Sequence, residues 1–226
     1  SNGKMYFSGL EDKYPVKYQK QGSYVGGLFV FESKLTQEFR LHFDEKIAEM
    51  FQSIGIREGS VWIEVFHDGE NYYFNEVGFR YGGSVSIYPV DYFYQINQVA
   101  ADIHYALTGE SCISEHTSLI RSTLPRKKYY CIYPVHINAG TISSISGLDK
   151  IAQLENIVYL ATTKYLHDRI ESSGSFSQVF ALVHFVCNTT EECIQTIDRI
   201  HQMLVVFDEH GNNMVNRMLD VGKIIF

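Results

Sequence analysis

Segment 62–84, WIEVFHDGENYYFNEVGFRYGGS, constrains the fold of this chain more than any other stretch. Two runs rich in β-branched and aromatic residues flank Asp68-Gly69, a pair that favours a hairpin turn. Each run carries a glutamate, Glu64 or Glu76, where a valine would serve the strand as well. A three-residue loop, Gly69-Glu70-Asn71, sets the two glutamates across from each other on one face, with Cβ atoms roughly 5 Å apart. A two-residue loop sets them on opposite faces unless a bulge intervenes. In either register Asn75, next to Glu76, is expected on the face opposite to Glu76.

Facing carboxylates repel, so in a partly buried site one takes a proton or both share a cation. Oxygen-only ligands suit Mg²⁺, which takes one or two carboxylates together with nucleotide phosphates and waters. Arg80 follows four residues after Glu76, with a fork suited to a phosphoryl group or a carboxylate. Gly82 and Gly83 let a ligand approach the backbone, and Ser84 adds a hydroxyl. The plain alternative is an edge hairpin with glutamates on its solvent face and Arg80 paired to one of them. Spacing alone leaves both readings open.

The net charge of −7 over 226 residues argues against a nucleic-acid groove, which needs a basic face. It leaves phosphate ligands open, because these need only a local cluster of donors or a metal ion. The basic run Arg126-Lys127-Lys128 reads as a solvated linker. The four cysteines, 112, 131, 187 and 193, include no C-x-x-C pair and no metal-ligand spacing with histidine, and so read as free thiols in a reducing compartment. No apolar run approaches the ~20 residues of a membrane span, and no signal peptide is visible. The expected location is cytoplasmic.

Along the chain, KMYFSGL and YVGGLFVFES read as strands. LTQEFRLHFDEKIAEMFQSIGI has a helical period through Phe39, Phe43, Ile47 and Met50 and stops at Gly55. DYFYQINQVAADIHYALTG reads as one helix, capped by Asp91 and ended by Gly109. RSTLPRKKYY is a polar joint and the expected boundary between a unit at 1–125 and one at 126–226. The second part alternates strands (YYCIYPVHI, NIVYLATTKY, SQVFALVHFVCN) with helices, the last of them opened by Thr189 or Thr190. That alternation suggests a small open α/β layer. His104, His136 and His184, in apolar runs, read as hydrogen-bonded structural histidines. His42 and His67 read as surface residues, and Lys17 and Lys20 as a solvated face.

GSVWIEVFHDGENYYFNEVGFRYGGS resembles the metal-binding hairpin of the ATP-grasp superfamily, which includes biotin carboxylase, the carbamoyl phosphate synthase large subunit and the carboxylate–amine ligases. On that resemblance Glu64 matches the first metal glutamate and Glu76 the second, which bridges both ions. Arg80 matches the arginine of the acyl-phosphate centre. Gly78 stands where the family usually has a metal-binding Asn. GTISSISGLDKIAQLENIVYL and EECIQTIDRIHQMLVVFDEHGNNM are similar to the family's C-terminal domain. The resemblance implies an α+β fold: the C-terminal half of an ATP-grasp domain, an antiparallel sheet with helices, followed by a small α/β C-terminal domain.

The resemblance further implies ATP and Mg²⁺ as cofactors, small carboxylate and amine substrates, no nucleic-acid or membrane partner, and room for a homodimer. The family's phosphate-binding lysines, glycine loop and hinge have no counterpart in this chain. A fragment whose N-terminal subdomains lie elsewhere in the same protein is therefore expected, inactive by itself. The opening SNGKMYFSGLEDKY, without cap or apolar lead-in, fits the same expectation. The alternative is a non-catalytic binding or regulatory module that kept the fold and lost the metal site.

Overall fold

A computed structural model of the chain describes residues 1–83, 86–113 and 128–226. The chain divides into two compact units: Ser1–Gly9 with Leu35–Pro125, and Leu10–Lys34 with Arg126–Phe226. The expected unit at 1–125 is therefore interrupted, because residues 10–34 leave it for the second unit. Backbone pairing is the reason: strands β1 (Glu11–Tyr18) and β2 (Ser23–Phe31) form a hairpin, and β2 joins strand β5 (Tyr129–His136) through Phe29↔Ile132 and Phe31↔Tyr130. KMYFSGL holds no strand; the strand begins just after it, at Glu11. The proposed joint at 125/126 lies outside the described residues.

In the first unit, helix α1 (Thr36–Ser53) is followed by a hairpin of β3 (Trp62–His67) and β4 (Tyr72–Gly78). The expected single helix at 91–109 is two: α2 (Ile87–Tyr94) and α3 (Gln98–Thr108). They separate at Gln95, which takes a left-handed φ of 56°. Asn97 caps α3, its Oδ1 accepting the Ala100 N–H at 2.9 Å. Asp91 lies inside α2 and caps nothing there. Gly109 ends α3 as expected, at φ 74°.

The second unit is built on a five-stranded sheet in the order β1-β2-β5-β9-β7, where β7 is Ile157–Thr162 and β9 is Val179–Cys187. Every pairing in it is antiparallel. The open α/β reading is thus corrected. Strand–helix alternation does not fix strand direction, and here the strands reverse direction at each pairing. A three-stranded sheet, β10-β6-β8, adds β6 (Gly140–Ser146), β8 (Arg169–Ile170) and β10 (Val205–Asp208). Helix α4 (Leu148–Ala152) contributes Ile151 to the core, and α5 (Thr190–Met203) contributes Cys193, Ile197 and Ile200 at helical spacing. Thr189 caps α5, accepting the Glu192 N–H at 3.2 Å. Among the described residues no helix is long and apolar enough to cross a membrane.

The central strands β5 and β9 are buried along nearly their whole length. Their polar atoms therefore need internal partners. Tyr130 and His184 share a hydrogen bond of 3.0 Å, and Tyr133 and His201 one of 2.7 Å. His136 lies between the Tyr18 hydroxyl at 2.9 Å and the Gly26 carbonyl at 2.8 Å. His136 and His184 are structural, as expected. His104, only half-buried, ties the end of α3 to the Glu110 carbonyl at 2.9 Å. Burial pushes both His184 and His201 down to about 4, the latter with help from the Arg217 charge.

A histidine whose folded pKa lies below its unfolded value is neutral in the fold and takes a proton on unfolding, so its stabilisation fades as pH falls from about 6.5 toward 4. Lowering the pH from 7.5 to 5 is expected to remove roughly 2 kcal/mol per histidine, about 4 kcal/mol for His184 and His201 together. Urea unfolding at the two pH values measures this, and His201→Gln should flatten the pH dependence by about half. An unchanged slope would overturn the assignment.

Candidate functional site

The acidic hairpin is organised from its turn. Asp68 accepts the N–H groups of Asn71 at 2.8 Å and Glu70 at 3.0 Å and the Tyr73 hydroxyl at 2.9 Å. These donors, Asn71 first, hold its carboxyl down at about 2. From the turn the register runs His67↔Tyr72, Phe66↔Tyr73 and Val65↔Phe74. Continued regularly, it would set Asn75 opposite Glu64 and Glu76 on the other face. A bulge breaks it between Glu64 and Val65, and the pairs beyond are Glu64↔Glu76, Ile63↔Val77 and Trp62↔Gly78. The two carboxylates are therefore register partners.

A bulge makes two consecutive residues share one partner across the ladder. Asn75 is the extra residue, and its Nδ2 donates to Glu64 Oε2 at 2.6 Å. Asn75, expected on the face opposite to Glu76, reaches the Glu64 carboxylate with its amide. The even spacing of Glu64 and Glu76 across a turn that closes in odd register was the signal for it.

Helix α1 covers the other face of the hairpin. Phe43 packs edge-on against Tyr72 and Phe74, with centroids at 5.4 and 5.2 Å, and Phe39 meets Tyr72 at 5.4 Å. The Tyr72 hydroxyl donates to Glu38 Oε1 at 3.1 Å. His67 is half-buried against Tyr72 at 4.4 Å, not on the surface as expected. The acid-bearing face is open: Glu64 is half-buried, and Glu76, Asn75, Phe66 and Tyr73 are exposed. Solvent there softens the repulsion between the carboxylates and leaves their oxygen atoms within reach of a hydrated cation.

Trp62 organises the far end of the hairpin. Its indole lies across from Gly78, and a Cβ on that residue would meet Trp62 Nε1 at 2.1 Å and Cε2 at 2.6 Å. With Trp62 in this position, a side chain at 78 would have to displace the indole. The Arg80 guanidinium stacks over the same indole at 5.0 Å, and its Nη1 donates to the Tyr81 carbonyl at 2.8 Å. These contacts hold Arg80 at the Trp62 end, on its own strand extension. Sequence reading gave Trp62 no such role. The Tyr81 hydroxyl donates to Asp102 Oδ2, and burial with this bond pushes Tyr81 up to about 12. Gly82 is half-buried. Gly83 is exposed, with open space where a Cβ would stand. Ser84 lies outside the described residues.

The donor set fits a hard cation. Two carboxylates in register with an amide beside them are oxygen-rich ligands of the kind Mg²⁺ selects, and no thiol or imidazole is among them.

No protein-family model matches the chain, and no curated protein matches it. Solved structures do. L-amino acid ligase from Bacillus licheniformis superimposes with a TM-score of 0.66 at 20% identity, over 90% of this chain and 53% of that one. Phosphoribosylglycinamide synthetase from Anaerococcus prevotii gives 0.69 at 14% identity, over 92% and 51%. The biotin carboxylase domain of the Hydrogenobacter thermophilus 2-oxoglutarate carboxylase, solved with MgADP, ADP and bicarbonate, gives 0.66 at 13% identity, over 90% and 43%. The chain spans about half the length of the structures it matches. At 13–20% identity, what the chain shares with these structures is the fold.

Proposed function

We propose that this chain is part of an ATP-dependent, Mg²⁺-requiring ligase that converts a carboxylate or bicarbonate to an acyl phosphate and joins it to an amine, in the manner of carbamoyl phosphate synthase or a carboxylate–amine ligase. The observation that carries the reading is the bulged register that makes Glu64 and Glu76 partners on an open face with Asn75 beside them. The remaining nucleotide contacts belong to subdomains outside this chain.

Each residue then has a definite task. Glu64 and Glu76 would hold Mg²⁺, which when bound offsets the negative charge of the nucleotide phosphates. Asn75 fixes the Glu64 rotamer through its 2.6 Å bond. Arg80 is always cationic and has five N–H donors, of which Tyr81 takes one; the others are available to the oxygens of the transferred phosphoryl group. Trp62 keeps the guanidinium plane in place. Gly82 and Gly83 present backbone to the phosphates, and Ser84 a hydroxyl.

The second reading, a non-catalytic module that kept the fold, is favoured by one observation. Trp62 fills the space at position 78, where the superfamily usually has a further ligand. The two readings separate on Glu76→Gln in the whole protein. A ligase should lose ADP release by roughly 10²-fold or more, as preorganised electrostatic groups do; unchanged release would favour the module. Titration calorimetry of the 226-residue chain with Mg-ATP should show no micromolar binding, because half of the clamp lies elsewhere. Micromolar affinity would contradict the fragment reading.

A further inference from the structure

Away from the hairpin, in the second unit, the sulfurs of Cys131, Cys187 and Cys193 lie within 4.8 Å of one another. Sequence spacing hid this, since Cys131 precedes the other two by 56 and 62 residues. The fold gathers them. Cys131↔Phe185 and Tyr129↔Cys187 pair in the β5–β9 ladder, so Cys131 and Cys187 stand diagonally on one face. Cys193, in the first turns of α5, packs onto the same core. The exposure of the three is 0, 2 and 0%.

The Cys131 sulfur lies 3.6 Å from Cys187 and 3.9 Å from Cys193. All three thiols are free. An ion bonded to each sulfur at about 2.3 Å sets neighbouring sulfurs ~3.8–4.0 Å apart, close to the 3.6 and 3.9 Å that separate Cys131 from its two neighbours. The donor set is all sulfur, which selects soft ions over Mg²⁺ or Ca²⁺. Three thiolates leave a net charge of −1 around Zn²⁺ but −2 around Cu⁺, and the smaller buried charge is the less costly. Cys187 is also among the residues lining a cleft of about 510 Å³, with Asn156, Asn188, Glu192, Thr196 and Arg199.

We propose that Cys131, Cys187 and Cys193 form a three-thiolate site for zinc(II) that ties β5, β9 and α5 together. Loading forms three Zn–S bonds and releases the thiol protons not already lost, with no change in oxidation state. The site is independent of the ligase reading and owes nothing to the acidic hairpin.

The test uses the whole chain, reduced, stripped with a chelator and dialysed against zinc(II) alone. One equivalent should remain, the melting temperature should rise on loading, and cobalt(II) should give a thiolate charge-transfer band. Calorimetry in two buffers of different ionisation heat should show net proton release. Cys187→Ser and Cys193→Ala should each lose the band and weaken binding at least tenfold. Cys112→Ser, at an exposed site in the other unit, should bind like wild type. Retention well below one equivalent, or equal uptake by wild type and Cys187→Ser, would mean packed neutral thiols only. Should both core variants fail to fold, the wild-type cobalt band and proton release decide alone, and absence of either overturns the site.

Discussion

One extra residue in one strand decides what this hairpin presents. With regular pairing from the Asp68 turn, Glu64 would face Asn75, and Glu76 would fall on the face that α1 covers with Phe39 and Phe43. A carboxylate there would stand on the opposite face from Glu64, and the acidic pair would be split. The bulge at Asn75 turns Glu76 to the open side and adds an amide that bonds Glu64. Local twist, face selection and ligand grouping thus come from one backbone irregularity, in keeping with the frequency of bulges beside functional sites.

Trp62 shapes the site from the other end. Its ring supports Arg80 on one strand extension and fills the space beside Gly78. The amide beside the acidic pair is that of Asn75, bonded to Glu64.

Much of this was legible in the sequence for physical reasons. The hairpin followed from Asp-Gly between β-rich runs, α1 from its helical period, and the α5 start from Thr189. The break between α2 and α3 was missed because a polar Gln-Ile-Asn step carries no Gly or Pro, and a left-handed Gln95 gives no compositional sign. The antiparallel sheet of the second unit was not legible, because strand–helix alternation fits parallel crossovers and antiparallel returns alike, and only pairing settles it. The recruitment of residues 10–34 and the meeting of three cysteines are both long-range, so no local window contains them.

The central claim is that Glu64, Asn75 and Glu76 form one cation-accepting face. Paramagnetic line broadening of backbone amide signals by added Mn²⁺ tests it most directly, because it detects weak binding residue by residue. The account requires broadening centred on Glu64, Asn75 and Glu76, fading toward the turn and absent from helix α1's far side. Broadening spread evenly over exposed acidic residues, or centred elsewhere, would contradict it.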